Sequence, residues 1–397
     1  MARLTLLLAS CLVAGLGETL AASVPEPRLL PGKWIVSLKP GSAPDLDLHT
    51  RWVSDIHARS IGRRDNAATG VETKFDFPGF AGYSGSFSAD TLEAIRSNPN
   101  VSAVEPEQEV LLASLTEQEN PPWSLSALSH ANPPRSNSSY IYDSSAGTGT
   151  FSYVLDSGIF VGHEEFEGNA IFGHDATGGA ETDHSHGTHV AGIVGGTKYG
   201  VAKKTSIIGV QVTGSSSGQS SWFLAGLNWT VNDILSKGRV TKSVINMSLT
   251  TTDSKVVNEA VQAIIDSGIT VVVSAGNTNL DTAGWSPANL PDAITVAASN
   301  KNYRRWAASN WGATVDLFAP GEAVISSWIG SPDATLTTSG TSMAAPYVSG
   351  VVAYLLALEG PRTPAEMKAR ILDLAIKGVI SDRKDVPDLL LYNGNGA

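Results

Sequence analysis

Residues Ser243 to Ala275 read SVINMSLTTTDSKVVNEAVQAIIDSGITVVVSA, and this stretch sets the fold class. Two apolar, β-branched runs, Ser243–Ser248 and Thr270–Ala275, read as strands. Between them Lys255–Asp266 reads as an amphipathic helix. The same alternation continues outward. Phe151–Asp156, Ser206–Val212 and Ala293–Ala297 read as strands; Gly187–Val194, Ser221–Ser236 and Thr341–Leu358 read as helices. Another helix opens at Thr363-Pro364-Ala365-Glu366, a capping box with proline in its first turn. Strand–helix alternation predicts an α/β unit with a parallel sheet covered on both faces. In such sheets active sites lie at the carboxyl ends of the strands. No internal repeat is present.

The chain has 397 residues, a formal net charge of −11, 42% hydrophobic residues and 16% charged ones. That hydrophobic share excludes a disordered chain. The acidic balance argues against a nucleic-acid partner, which calls for a basic footprint. The single cysteine, Cys11, excludes a disulfide scaffold, a cysteine zinc site and a thiol nucleophile elsewhere. Arg3, the apolar run Leu4–Leu16 and the small residues Ala21-Ala22-Ser23 read as a secretory signal over 1–21; a buried N-terminal helix is the alternative. No other segment approaches 18 consecutive apolar residues, so no bilayer span is expected.

Residues 33–112 form a separate block. Lys33–Lys39 alternates like a strand and a helix is expected around Leu46–Ser60. A hairpin (Val71–Phe77, Phe80–Phe87), a helix (Ala89–Ser97) and a last strand (Val101–Val110) follow. The sum is a small α+β unit. Leu115–Ser145, rich in Ser, Pro and Asn, reads as linker and surface loop.

No histidine follows His189, so a late serine nucleophile must take its base from upstream. The densest histidine segment is Asp183-His184-Ser185-His186-Gly187-Thr188-His189. Ser342, in Ser339-Gly340-Thr341-Ser342-Met343-Ala344, stands where a glycine turn enters an apolar helix, beside the positive end of the helix dipole. Asp156 ends the first strand in Val154-Leu155-Asp156-Ser157-Gly158. Each has a plainer reading: a turn aspartate, a histidine metal cluster, a helix-capping serine. His-Glu-x-x-His is absent, and so is the second glycine of a Gly-x-Ser-x-Gly elbow. The order Asp, His, Ser, each on a sheet-top segment, carries the information.

These segments resemble the subtilisin-like serine peptidases, closest to the secreted fungal proteinase K group. The resemblance rests on Val154–Ile159, His186–Gly192 and Gly340–Ala344, supported by His163–Gly168, Tyr199–Lys204 and Ser274–Asn277, and covers about Pro122 to Tyr392. It implies a three-layer subtilisin-like α/β fold over 115–397, preceded by a ferredoxin-like inhibitor propeptide over 22–114. It assigns Ser342 as nucleophile, His186 as general base and Asp156 as the acid that orients the imidazole. Asn277 matches the oxyanion donor, working with the Ser342 N–H. His189 is read as a packed structural histidine. Substrate is expected to lie extended between Ser248-Leu249-Thr250 and the 214–219 loop. Ser274, Ala275 and Gly276, with Trp285, fall where the family lines its specificity pocket.

The chain departs from the family's pattern at Thr250 and Thr251, where two glycines are usual. It departs again at Tyr347 (usually His), Ser349 (usually Ala) and Ile193 (usually Thr). The resemblance implies structural calcium on the Asp316 carboxylate and the carbonyls of Pro291 and Ala293, and no cofactor for catalysis. Val379 replaces the carboxylate of a second calcium site. The apolar tail Val110–Ala113 is expected to enter the cleft like a product, with self-cleavage near Ala113–Thr116. Asn137 and Asn228 sit in glycosylation sequons, whereas Asn246, also in a sequon, lies in an expected core strand. A secreted, monomeric endopeptidase acting on proteins and peptides is the expectation. A catalytically silent binding protein on the same fold and a histidine metallohydrolase are its rivals.

Overall fold

A computed structural model describes residues 29–39, 46–60, 68–108, 115–132, 138–180, 183–214 and 217–396. The expected signal, the tail Val110–Ala113 and the sequon residue Asn137 lie outside the described residues.

The N-terminal block comprises β1 (Leu29–Leu38), α1 (Leu46–Ser60), β2 (Gly70–Phe77), β3 (Phe80–Ser86), α2 (Ala89–Arg96) and β4 (Val101–Gln108). Its four strands form an antiparallel sheet in the order β2-β3-β1-β4. Val36 and Leu38 of β1 alternate inward and meet Val53 of α1 and Ile95 of α2 around the buried Tyr83. The Ser88 side chain caps α2 by accepting the Thr91 N–H.

Residues 115–143 correct the linker expectation. Leu115–Gln118 (β5) pairs antiparallel with Tyr140–Asp143 (β6), and Trp123–Leu128 forms a short helix (α3). Leu125, Leu128 and Tyr140 are fully buried in the main core. Polar composition concealed this because three large side chains suffice to anchor such a segment, each worth about 1.5–3 kcal/mol when buried.

The remaining elements are β7 (Phe151–Asp156), β8 (Ala170–Asp175), α4 (Ser185–Gly195), β9 (Ser206–Gln211), α5 (Ser220–Ser236) and β10 (Ser243–Met247). They continue with β11 (Thr251–Thr252), α6 (Lys255–Asp266), β12 (Thr270–Ser274), β13 (Trp285–Ser286), β14 (Ile294–Ser299) and β15 (Leu317–Pro320). The last are β16 (Val324–Ser327), β17 (Thr335–Thr338), α7 (Thr341–Glu359), α8 (Pro364–Leu374), β18 (Ile376–Lys377) and β19 (Leu389–Leu390). Nine strands form one sheet, ordered β18-β19-β15-β14-β12-β10-β7-β9-β8, parallel except for the β18–β19 pair. Of this sheet, β8 and the shorter strands β15, β18 and β19 escaped the sequence reading.

Two cores cover the two faces, and strand alternation separates them. Val154, Val244 and Val272 face α4 and α7; Tyr153, Leu155, Ile245, Val271 and Val273 face α5 and α6. Helix α7 is long and apolar enough to cross a membrane, but it lies mostly buried inside this fold. We expect Leu125→Ala to lower unfolding stability by about 2–5 kcal/mol in urea titrations; a true linker residue would cost almost nothing.

Candidate active site

The carboxyl ends of β7 and β10 and the amino end of α7 converge on a cleft of about 280 Å³. It is lined by Asp156, His186 and Ser342, by Ser248, Leu249 and Thr250, and by Ser274, Gly276 and Asn277. Ala275 and Trp285 do not line it: Ala275 is fully buried in a satellite core, and Trp285 sits on β13, paired with β11.

Asp156 is the last residue of β7 and is 3% exposed. Its carbonyl accepts the Val212 N–H at 2.8 Å beyond the end of β9, which fixes the strand end. Its carboxylate accepts the Ser157 N–H and the His186 Nδ1–H, each at 2.7 Å. His186 arrives because α4 packs unusually close. A Cβ on Gly187 would lie 2.0 Å from the Gly158 carbonyl, so only glycine fits there. With Nδ1 donating to Asp156, the neutral ring presents Nε2 as an acceptor. Burial alone would hold the His186 ring below its ordinary 6.5; the Asp156 charge and hydrogen bond outweigh it and raise it.

The other cluster histidines face elsewhere. His184 stacks on Phe172 at 5.3 Å. His189 is fully buried, as expected of a packed structural histidine; its Nε2 lies 3.0 Å from the Leu336 carbonyl, and burial pushes it down to about 4. The three rings therefore do not converge, and no group of three or more His, Cys, Asp or Glu side chains suited to a metal occurs among the described residues.

Ser342 occupies the first turn of α7. Pro346, four residues on, has no N–H, so the Ser342 carbonyl has no helical partner. Ser248 Oγ donates to that carbonyl at 2.9 Å, while Ser342 Oγ donates to the Ser248 carbonyl at 3.2 Å. The hydroxyl is thus turned toward Ser248 and makes no hydrogen bond to His186; catalytic bonds commonly tighten only with substrate present. Behind Ser248 runs a buried polar chain: Ser349 Oγ donates to Asn246 Oδ1 at 2.8 Å, and Asn246 Nδ2 donates to Ser248 Oγ at 3.0 Å. Ser349 is one of the departures noted from the sequence, and here it satisfies a buried amide.

Asn277 is aimed by its carbonyl oxygen. Oδ1 accepts both the N–H and the hydroxyl of Thr341, at 2.9 and 2.8 Å, so Nδ2 is left for the cleft. The loop carrying it is held by Asn310. Asn310 Oδ1 accepts from Thr278 and Leu280, and Nδ2 donates to the Ala275 carbonyl at 2.9 Å. Gly276, at φ +101°, admits no Cβ, which would lie 2.4 Å from Asn310 Nδ2. Asn310 and Thr341 received no role from sequence. Nothing local marks Asn310, in the aperiodic run Ser309-Asn310-Trp311. Asn246 was detectable as an amide inside an apolar strand, which must find a partner.

A lysine stands among the three oxygens expected to hold calcium. Asp316 Oδ1, the Pro291 carbonyl and the Ala293 carbonyl surround Lys368 Nζ at 2.7, 2.7 and 2.8 Å. An ammonium at their shared focus takes the space and supplies the positive charge, so these residues as arranged do not fit a metal ion. Of the glycosylation residues, Asn228 is exposed on α5.

The Subtilase family profile matches residues 147–396, and the Peptidase inhibitor I9 profile matches residues 33–113. Alkaline protease 1 of Aspergillus oryzae is 46% identical over 399 residues, covering 99% of this chain and 98% of that protein. Alkaline proteinase of Hapsidospora chrysogena is 45% identical over 400 residues, covering 97% and 98%. Among solved structures, a cold-adapted subtilisin-like serine proteinase superposes with a TM-score of 0.64 at 37% identity, covering 69% of this chain and 99% of that one. The chain belongs to the subtilase family of serine endopeptidases. Within it, this chain is a zymogen-type member carrying an I9 inhibitor propeptide, and it aligns with the fungal alkaline proteases over nearly the whole of both chains.

Two outcomes follow from the geometry. A base held above 6.5 loses its free electron pair as pH falls through that raised value. The acid limb of kcat/KM is therefore expected above pH 6.5 in stopped assays across pH. Thr341→Ala, which removes one of the two hydrogen bonds that aim the Asn277 amide, is expected to lower kcat about tenfold on a peptide anilide with KM within about twofold.

Proposed function

We propose that this protein is a secreted endopeptidase that cleaves peptide bonds through an acyl-enzyme on Ser342. The observation that carries this reading is the 2.7 Å His186–Asp156 hydrogen bond, set in one cleft with Ser342 and with an amide turned outward by Thr341. Asp156 holds the imidazole in the tautomer that leaves Nε2 free. Nε2 takes the Ser342 proton as Oγ attacks the scissile carbonyl and later returns it to the leaving amine. The Asn277 amide and the Ser342 N–H, at the positive end of α7, receive the developing oxyanion. Losing such an amide costs about 10²–10³ in turnover, a magnitude established on subtilisin itself. Water then repeats the sequence on the acyl-enzyme.

An extended substrate adds main-chain hydrogen bonds beside Ser248–Thr250, which recognises backbone more than side chain and suits broad protein cleavage. The rest of the reading follows the sequence: a signal over 1–21, a propeptide over 22–114 that folds with and blocks the enzyme, and self-cleavage near Ala113–Thr116. The mature protein is monomeric and extracellular, glycosylated at Asn137 and Asn228, and engages neither membrane nor nucleic acid. The turned Ser342 hydroxyl and the residue departures favour one second reading, a silent binding protein on this fold. Casein hydrolysis by the mature form, blocked by a sulfonyl fluoride, decides between them. Ser342→Ala is expected to abolish that hydrolysis and to leave the precursor unprocessed; hydrolysis surviving in the variant refutes the assignment.

A further inference from the structure

We propose that Lys368 is the resident cation of the Asp316–Pro291–Ala293 site, a tethered ammonium that replaces a divalent metal and excludes it. An ammonium has three N–H donors and no acceptor. Here the three donors meet three oxygens at 2.7, 2.7 and 2.8 Å, so its valence is filled. These are the lengths of charge-assisted N–H···O bonds, whereas a calcium ion draws six to eight oxygens to about 2.3–2.6 Å. Charge points the same way. One carboxylate neutralises one ammonium but would leave a divalent ion with half its charge uncompensated by protein.

The surroundings hold the pair in place. Asp316 and Lys368 side chains are 13% and 19% exposed. The second Asp316 oxygen accepts the Thr295 N–H at 2.9 Å, which locks the carboxylate between β14 and β15. Lys368 stands on α8, whose start is fixed by the Thr363–Glu366 capping box and whose Met367 and Ile371 are fully buried. Burial pushes the Asp316 carboxyl up from its ordinary range, and the Lys368 charge opposes that push. The clamp thus ties α8 to the amino ends of two strands. It also secures the 287–293 loop, which leads from β13, paired with β11 beside the cleft, to β14. A bond within the chain cannot be removed by a chelator, so this part of the enzyme keeps its structure in calcium-free medium.

The test counts bound calcium by difference, so that sites elsewhere cancel. Mature enzyme is inactivated with a sulfonyl fluoride to stop autolysis, stripped with EDTA and titrated with calcium in a calorimeter. Lys368→Ala opens the three oxygens. It is expected to bind one calcium more per chain than the parent, in the millimolar range, with a larger rise in unfolding temperature on calcium addition. Equal stoichiometry in parent and variant overturns the proposal. Should Lys368→Ala fail to fold, Asp316→Asn decides. The parent's stoichiometry is then expected unchanged, and loss of one bound calcium overturns the proposal. Neither readout uses activity, so the outcome is independent of the catalytic assignment.

Discussion

Helix α7 opens at Gly340 with its first turn facing the cleft, and Pro346 leaves the Ser342 carbonyl without the helical partner it would otherwise have. Everything around the cleft is organised by what answers that turn. Ser248 takes the free carbonyl, Asn277 takes the Thr341 N–H and hydroxyl, and the Thr341 hydroxyl also accepts the Gly276 N–H at 3.0 Å. The same unsatisfied groups that make a helix end costly to bury therefore tie two loops to one point. The helix end can be buried there because these groups have found partners, while the Ser342 N–H is kept for the oxyanion.

That economy extends behind the site. Asn246 is an amide in the middle of a fully buried strand, and it is tolerated because Ser248 and Ser349 satisfy it from either side. Asn310 does the same for the loop that carries Asn277. Cleft geometry here is set by buried polar groups on the sheet and on α7, with apolar packing on both faces keeping water away. The glycines at 187 and 276 are where backbone must approach more closely than any side chain permits.

The tethered ammonium at Asp316 shows the same exchange of solutions at the amino ends of the strands, opposite the cleft. Strand ends bring carbonyls and a carboxylate together, and something positive must stand among them. A side chain from a neighbouring helix meets that need as completely as a dissolved ion would, and it does so without dependence on the medium.

Sequence alone determined the alternation of strands and helices, because apolar periodicity is local, and it fixed the helix boundaries of Lys255–Asp266 and the capped start at Thr363 almost to the residue. It also singled out Asp156, His186 and Ser342, and through the family resemblance Asn277, since their motifs are contiguous in the chain. Leu115–Asp143 misled because composition does not say where three large side chains go. Only the tertiary structure decided that Lys368 meets Asp316, 52 residues away in sequence by simple subtraction of their numbers, that Asn310 holds the Gly276 loop, and that Ala275 faces away from the cleft. Those are contacts between residues with no local signature, chosen by packing across the sheet, and no periodicity along the chain encodes them.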